Sequence, residues 1–244
     1  MRNIDFGPFS NPLIVALDCE TSSEAFNLAR QLGDVVGGFK IGPRLLFGAK
    51  PEFIEELSTM APVFVDCKFF DISSTMVASV KSAFDAGASV VTVHALSGST
   101  ALRALAQLEK ELNQIRSFKI LAVTILTSWS SQDLSKVMVG NDISTHVQTL
   151  AQECGDCGIH NFVCSPLEAK LIRAPQRFLV TPGIRLGAKT IASLAGLDDQ
   201  TRIASPEFAI ESGANAIVVG RPILAAENPR EAAVEILTRL YKVI

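Results

Sequence analysis

Eight short apolar runs recur along the chain, set off by glycine, proline or polar residues. They are LIVALD (13–18), GFKIG (38–42), VFVDCK (63–68), SVVTVH (89–94), ILAVTIL (120–126), NFVCS (161–165), RFLVTPG (177–183) and AIVVG (216–220). Most are nearly continuous in apolar residues and do not alternate, as parallel strands buried on both faces do.

Longer stretches with helical punctuation lie between them. SSEAFNLARQL opens with a Ser N-cap and carries Phe26, Ala29 and Leu32 at helical spacing, and STMVASVKSAFDAG closes on Gly87. SPEFAIESGA and NPREAAVEILTRLY each begin with a capping residue followed by proline, and Ser165-Pro166 repeats that signal. Eight strand–helix units in 244 residues predict an α/β chain folded as one (β/α)₈ TIM barrel domain over residues 1–244, a fold of about 250 residues. A doubly wound sheet is the other arrangement of such units, but it usually opens with a glycine-rich turn after strand one. Here strand one runs into CETSS, without glycine.

Composition narrows the class. Hydrophobic residues make up 48% of the chain and charged residues 19%, enough apolar content for a large core. The net charge of −3, without basic blocks, argues against a nucleic-acid partner. The opening MRNIDFGPFSNP lacks the apolar run of a signal peptide, and ILAVTILTSW is about half the length needed to cross a bilayer. A cytoplasmic protein without membrane partners is expected. Cys19, Cys67, Cys154, Cys157 and Cys164 form no disulfide framework, so reduced thiols are expected. Cys154-x-x-Cys157 with His160 nearby reads either as a metal or redox pair or as a helix end closed by glycine.

Barrel active sites gather at the C-terminal strand ends. Those ends supply Asp18, Lys40, Asp66, Lys68, His94, Thr127, Ser128, Ser165, Arg185 and Arg221. Asp66 and Lys68 share parity and so face one side of strand three. With Asp71 and Lys40 they form an array of alternating charge, in which a lysine flanked by carboxylates stays protonated and can serve as a general acid. A structural ion-pair network is the other reading, although it is costly to build inside a barrel. TPGIR and VGRP follow strands seven and eight, where this fold often binds phosphate. Gly183 and Gly220 permit close backbone approach, and Arg185 and Arg221 can fork onto phosphate oxygens. The long loop LGAKTIASLAGLDDQTR between them reads as a lid carrying Gln200, or as a surface insertion. No cofactor motif occurs, and no metal site is expected.

The stretch Asp66-x-Lys68-x-x-Asp71-Ile72, with Thr75 behind it, resembles the orotidine 5′-phosphate decarboxylase family, in its bacterial form. ALD, FKIG, TVHA, VTILTS, VCSP, VTPGIR, DDQTRIASP and VVGRPI continue the resemblance in order from about residue 12 to residue 238. It implies conversion of orotidine 5′-monophosphate to UMP and CO₂ in pyrimidine biosynthesis, without metal or organic cofactor. By the same resemblance Lys68 would protonate C6, Asp66 would lie near the departing carboxylate, and Lys40 and Asp18 would hold the ribose. Thr127 and Ser128 would contact the pyrimidine, while Pro182, Arg185, Gln200, Gly220 and Arg221 would line the phosphate end. Asp71, Ile72 and Thr75 would reach into the partner's site of a homodimer. His94 is expected to be structural, since Lys68 already supplies the proton. The family pattern K-F-H-D-I-P-N-T is altered here to Phe70, Ser73 and Ser74. Related sugar-phosphate barrels share the strand-three motif, so a magnesium-dependent decarboxylase or aldolase is the alternative chemistry. A non-catalytic nucleotide-binding barrel is a third reading, against which Asp66 and Lys68 argue.

Overall fold

A computed structural model describes residues 4–134, 138, 140, 142–186 and 202–244. Among these, eight parallel strands close into a barrel in chain order, with the eighth pairing the first. They are β1 (Leu13–Ala16), β2 (Gly38–Ile41), β3 (Val63–Phe69), β4 (Ala88–His94), β5 (Lys119–Val123), β6 (Asn161–Val163), β7 (Phe178–Thr181) and β8 (Ala216–Val219). The helices described are α1 (Ser22–Leu32), α2 (Pro43–Leu46), α3 (Phe53–Ser58), α4 (Ser73–Asp85), α5 (Gly98–Leu112), α6 (Ile143–Asp156), α7 (Pro166–Ile172), α8 (Pro206–Glu211), α9 (Arg221–Leu224) and α10 (Pro229–Leu240). All eight expected strands are present, as the (β/α)₈ reading requires.

Local differences from the expected boundaries have identifiable causes. The N-cap of α1 is Thr21, not Ser22: Thr21 is extended and its hydroxyl accepts the Glu24 amide at 3.2 Å. β5 ends at Val123, short of Leu126, because the next residues leave the ladder and Thr124 turns its hydroxyl to the Val163 carbonyl. Ser165, Ser205 and Asn228 cap α7, α8 and α10, each followed by proline as the sequence suggests.

Strand alternation divides the apolar residues into two layers. Leu13, Val15, Phe39, Val63, Val65 and Ile120 belong to the large core between sheet and helices. Ile14, Phe64, Val90, Leu121, Phe178 and Ala216 form a separate cluster inside the barrel. Phe9, from the segment before β1, joins this inner cluster and is buried. Gly38 has no side chain because a Cβ there would meet the Phe9 ring at 2.7 Å. One end of the barrel is therefore plugged by apolar rings, leaving the C-terminal strand ends as its polar mouth.

All five cysteines are free. Cys154 and Cys157 sit at the end of α6, where Gly158 takes φ 92° and the Ile159 amide returns to the Cys154 carbonyl at 2.9 Å. That is the glycine-closed helix end. Burial, then the neighbouring Cys157 and Glu153, pushes the Cys154 thiol up to about 12, so the pair makes a poor redox or metal site. No helix among the described residues is long and apolar enough to cross a membrane.

Candidate active site

β3 departs from regular pleating where its charges begin. Val65 lies opposite Val91, yet Phe69 lies opposite Val93, so β3 spends four residues where β4 spends two. Lys68 takes φ 47°, the one left-handed non-glycine residue described. Such a conformation costs on the order of 1–3 kcal/mol and persists only when its surroundings fix it. Here the Lys68 amide donates to the Thr92 hydroxyl at 2.9 Å. Asp66 and Lys68 do both face the pocket, but through this bulge and not through simple alternation.

The result is a row of alternating charge. Lys68 Nζ donates to Asp66 Oδ1 at 2.9 Å. Lys40 Nζ lies 3.6 Å from Asp66 Oδ2 and 3.6 Å from Asp18 Oδ1. The Thr92 hydroxyl donates to Asp66 Oδ1 at 2.8 Å. Burial works to raise the Asp66 carboxyl, but the charges of Lys40 and Lys68 outweigh it, aided by the hydrogen bonds from Lys68 and Thr92. The carboxyl is held below the usual carboxylate range.

These groups line a cavity of about 510 Å³ at the barrel mouth, with Val123 and Val218 in its floor. β7 stands four strands from β3, on the opposite side of the barrel. From that side and from β8, Pro182, Gly183, Arg185, Gly220 and Arg221 enter the wall, and Thr127 and Ser128 enter from the loop after β5. Gly183 takes φ 78°, which demands glycine. The Arg185 amide and the Gly183 carbonyl both bond to Ala204, at 2.9 and 3.1 Å, tying the loop after β7 to the chain ahead of α8. At Gly220 a Cβ would stand 3.6 Å from Ala16 and Asp18, taking space from the cavity rather than clashing.

Other expected residues lie elsewhere. Asp71, Ile72 and Thr75 are exposed and absent from the cavity wall, because the chain leaves β3 outward into α4. Within one chain the array is thus Asp18, Lys40, Asp66 and Lys68, without Asp71. Gln200, with the lid reading of its loop, falls outside the described residues. Ser165 is buried and caps α7, and its hydroxyl accepts the Leu167 amide. His94 also has a structural setting: its Nδ1 accepts the Leu96 amide at 3.2 Å and its ring lies 5.4 Å from Phe70. Burial, then the Lys68 charge, lowers its pKa. Phe70 thus stacks where the family pattern has histidine, and α4 still begins at Ser73. Thr92 was not singled out by sequence reasoning. The available signal was a hydroxyl in an otherwise apolar run, at the parity of the inward-facing Val90.

Among the described residues, no three His, Cys, Asp or Glu side chains converge as metal ligands. Both Asp66 oxygens already face lysines.

The sequence model of the orotidine 5′-phosphate decarboxylase / HUMPS family matches residues 11–236. The chain belongs to this family. It is 39% identical over 242 residues to orotidine 5′-phosphate decarboxylase of Parasynechococcus marenigrum, covering 96% of this chain and 95% of that one. It is 40% identical over 221 residues to the Nitrosomonas europaea protein of the same name, covering 89% and 91%. The crystal structure of orotidine 5′-phosphate decarboxylase from Lactobacillus acidophilus superposes with a TM-score of 0.79 at 30% identity, covering 95% of this chain and 99% of that one.

Proposed function

We propose that this chain, as one barrel domain over residues 1–244, decarboxylates orotidine 5′-phosphate to UMP and CO₂ without a metal. The observation that carries the reading is the Lys40–Asp66–Lys68 row set across the cavity from Arg185 and Arg221. Arg185 and Arg221 bind the phosphate, Lys40 and Asp18 the ribose hydroxyls, and Thr127 and Ser128 the pyrimidine. Phosphate binding, remote from the reacting carbon, holds the ring against Lys68. As the bond from C6 to the carboxylate breaks, its electron pair stays on C6 and CO₂ departs. The Lys68 ammonium gives its proton to C6 and recovers one from solvent. A carbanion at C6 needs charge arranged in advance, and such preorganisation can lower barriers by up to about 20 kcal/mol.

The exposed Asp71, Ile72 and Thr75 support a second part of the reading. In a homodimer they would complete the partner's site, with Asp71 entering the row that Asp18, Lys40, Asp66 and Lys68 begin. Ile72 is 69% exposed in the single chain, an unusual state for an isoleucine at a strand–helix turn.

A magnesium-dependent sugar-phosphate reaction would require Asp66 to release the two lysines and Thr92 before binding the ion. The test is loss of orotidylate ultraviolet absorbance in EDTA. Turnover with UMP as product is expected. No turnover of orotidylate, with EDTA-sensitive turnover of a keto-sugar phosphate, would overturn the reading.

A further inference from the structure

We propose that Arg202 is a positioning residue, one that fixes the base end of the cavity relative to its phosphate end. The proposal rests on the reading above, in which Thr127 and Ser128 meet the pyrimidine and Arg185 meets the phosphate.

The problem Arg202 solves arises from β5. Ile125 and Leu126 lie past the last β5 residue, Val123, so their carbonyls have left the ladder just before Thr127 and Ser128. Carbonyls out of the ladder need other donors; the Trp129 amide gives Leu126 one at 2.9 Å, and Arg202 supplies the link to the rest of the mouth. Arg202 Nη2 donates to the Leu126 carbonyl at 2.6 Å and to the Ile125 carbonyl at 3.3 Å. Its Nη1 donates to Glu168 Oε1, in the first turn of α7, at 2.6 Å. The two side chains are only 10% and 6% exposed. A cation buried to that degree needs a counter-charge, and Glu168 supplies it.

Arg202 is also two residues from Ala204, which bonds to both Gly183 and Arg185. One short hydrogen-bonded route therefore runs from the carbonyl next to Thr127, through the guanidinium and Ala204, to Arg185. None of the three groups that hold Arg202 faces substrate as a reacting atom, so its effect is on geometry. A lysine could not replace it, because one ammonium cannot spread fixed donors over two carbonyls and a carboxylate. Displacement of the base end by about 1 Å relative to the phosphate end can cost on the order of 10²-fold in rate.

The test uses Arg202→Lys and the double variant Glu168→Gln/Arg202→Met, which removes both charges and leaves no buried ion alone. Calorimetric titration with UMP and competition by inorganic phosphate are measured beside turnover. UMP spans both ends and is expected to bind about 10- to 100-fold more weakly to each variant. Inorganic phosphate, which needs one end only, should bind as it does to the unaltered protein, and kcat should fall by a similar 10- to 100-fold. Unchanged UMP affinity, or an equal loss for phosphate alone, overturns the proposal. So does failure of both variants to fold, which would make the pair a folding element. Absence of turnover in the unaltered protein would sink the reaction assignment, while the two binding comparisons would still decide the role of Arg202.

Discussion

The hydroxyl of Thr92 donates to Asp66 Oδ1 at 2.8 Å. The Thr92 hydroxyl oxygen in turn accepts the Lys68 amide at 2.9 Å. One β4 hydroxyl thus holds both the carboxylate and the left-handed backbone that aims the neighbouring ammonium. Thr92 is fully buried, so its oxygen has no water to take over either bond.

Thr92→Val keeps the shape and removes both bonds. Hydrogen bonds to charged groups contribute about 1.5–3 kcal/mol. Expressed in the transition state, that corresponds to a fall in kcat of roughly 10- to 100-fold. Steady-state assays should show this with KM changed by much less, and an unchanged kcat would mean that Lys68 holds its place without Thr92.

A second carboxyl, away from the mouth, should govern stability against pH. Burial raises Glu109 to about 7, against the opposing effects of Lys119, a backbone hydrogen bond from Ile120 and the Asn161 amide at 2.7 Å. With a folded pKa above the unfolded one, the folded chain holds the proton more tightly. Its contribution is full below the ordinary glutamate range and is lost as pH rises through about 7. Glu109→Gln should therefore flatten the decline in stability between about pH 5 and pH 8. Urea denaturation at the two pH values checks it, and a decline as steep as in the unaltered chain would clear Glu109 of the effect.

Mixing subunits tests the shared site. Lys68→Ala and Asp71→Ala proteins should each be nearly inactive, whereas exchanged mixtures should regain up to about a quarter of full activity through hybrid dimers with one intact site, the statistical expectation for random pairing. No recovery, with exchange verified by mass, would count against Asp71 acting in the partner's cavity.

Much of this was legible in the chain because the signals were local. Continuous apolar runs and Ser-Pro or Asn-Pro caps located strands and helices, and strand-end charges located the mouth. Asp18, Lys40, Asp66, Lys68, Thr127, Ser128, Arg185 and Arg221 all reach the cavity wall. What was hidden depends on register and long-range contact. The β3 bulge follows from how β3 sits against β4, which no single run reveals. Thr92 reads as one more β-branched strand residue until its partner 26 positions away is known. Glu168 and Arg202 look like helix and loop charges, because their 34-residue separation says nothing of their burial together. Ser165 and His94 sat at strand ends like the residues that line the cavity, yet one caps a helix and the other a turn.

The central claim is that Lys68, held by Asp66, delivers the proton to C6. Its most direct test is single-turnover decarboxylation of orotidine 5′-phosphate by Lys68→Ala in EDTA, with UMP binding measured on the same sample. The account predicts that UMP still binds and that turnover falls by at least about 10³-fold, inside the 10²–10⁴ range that a general acid contributes. Decarboxylation by folded Lys68→Ala at the rate of the unaltered protein would contradict it.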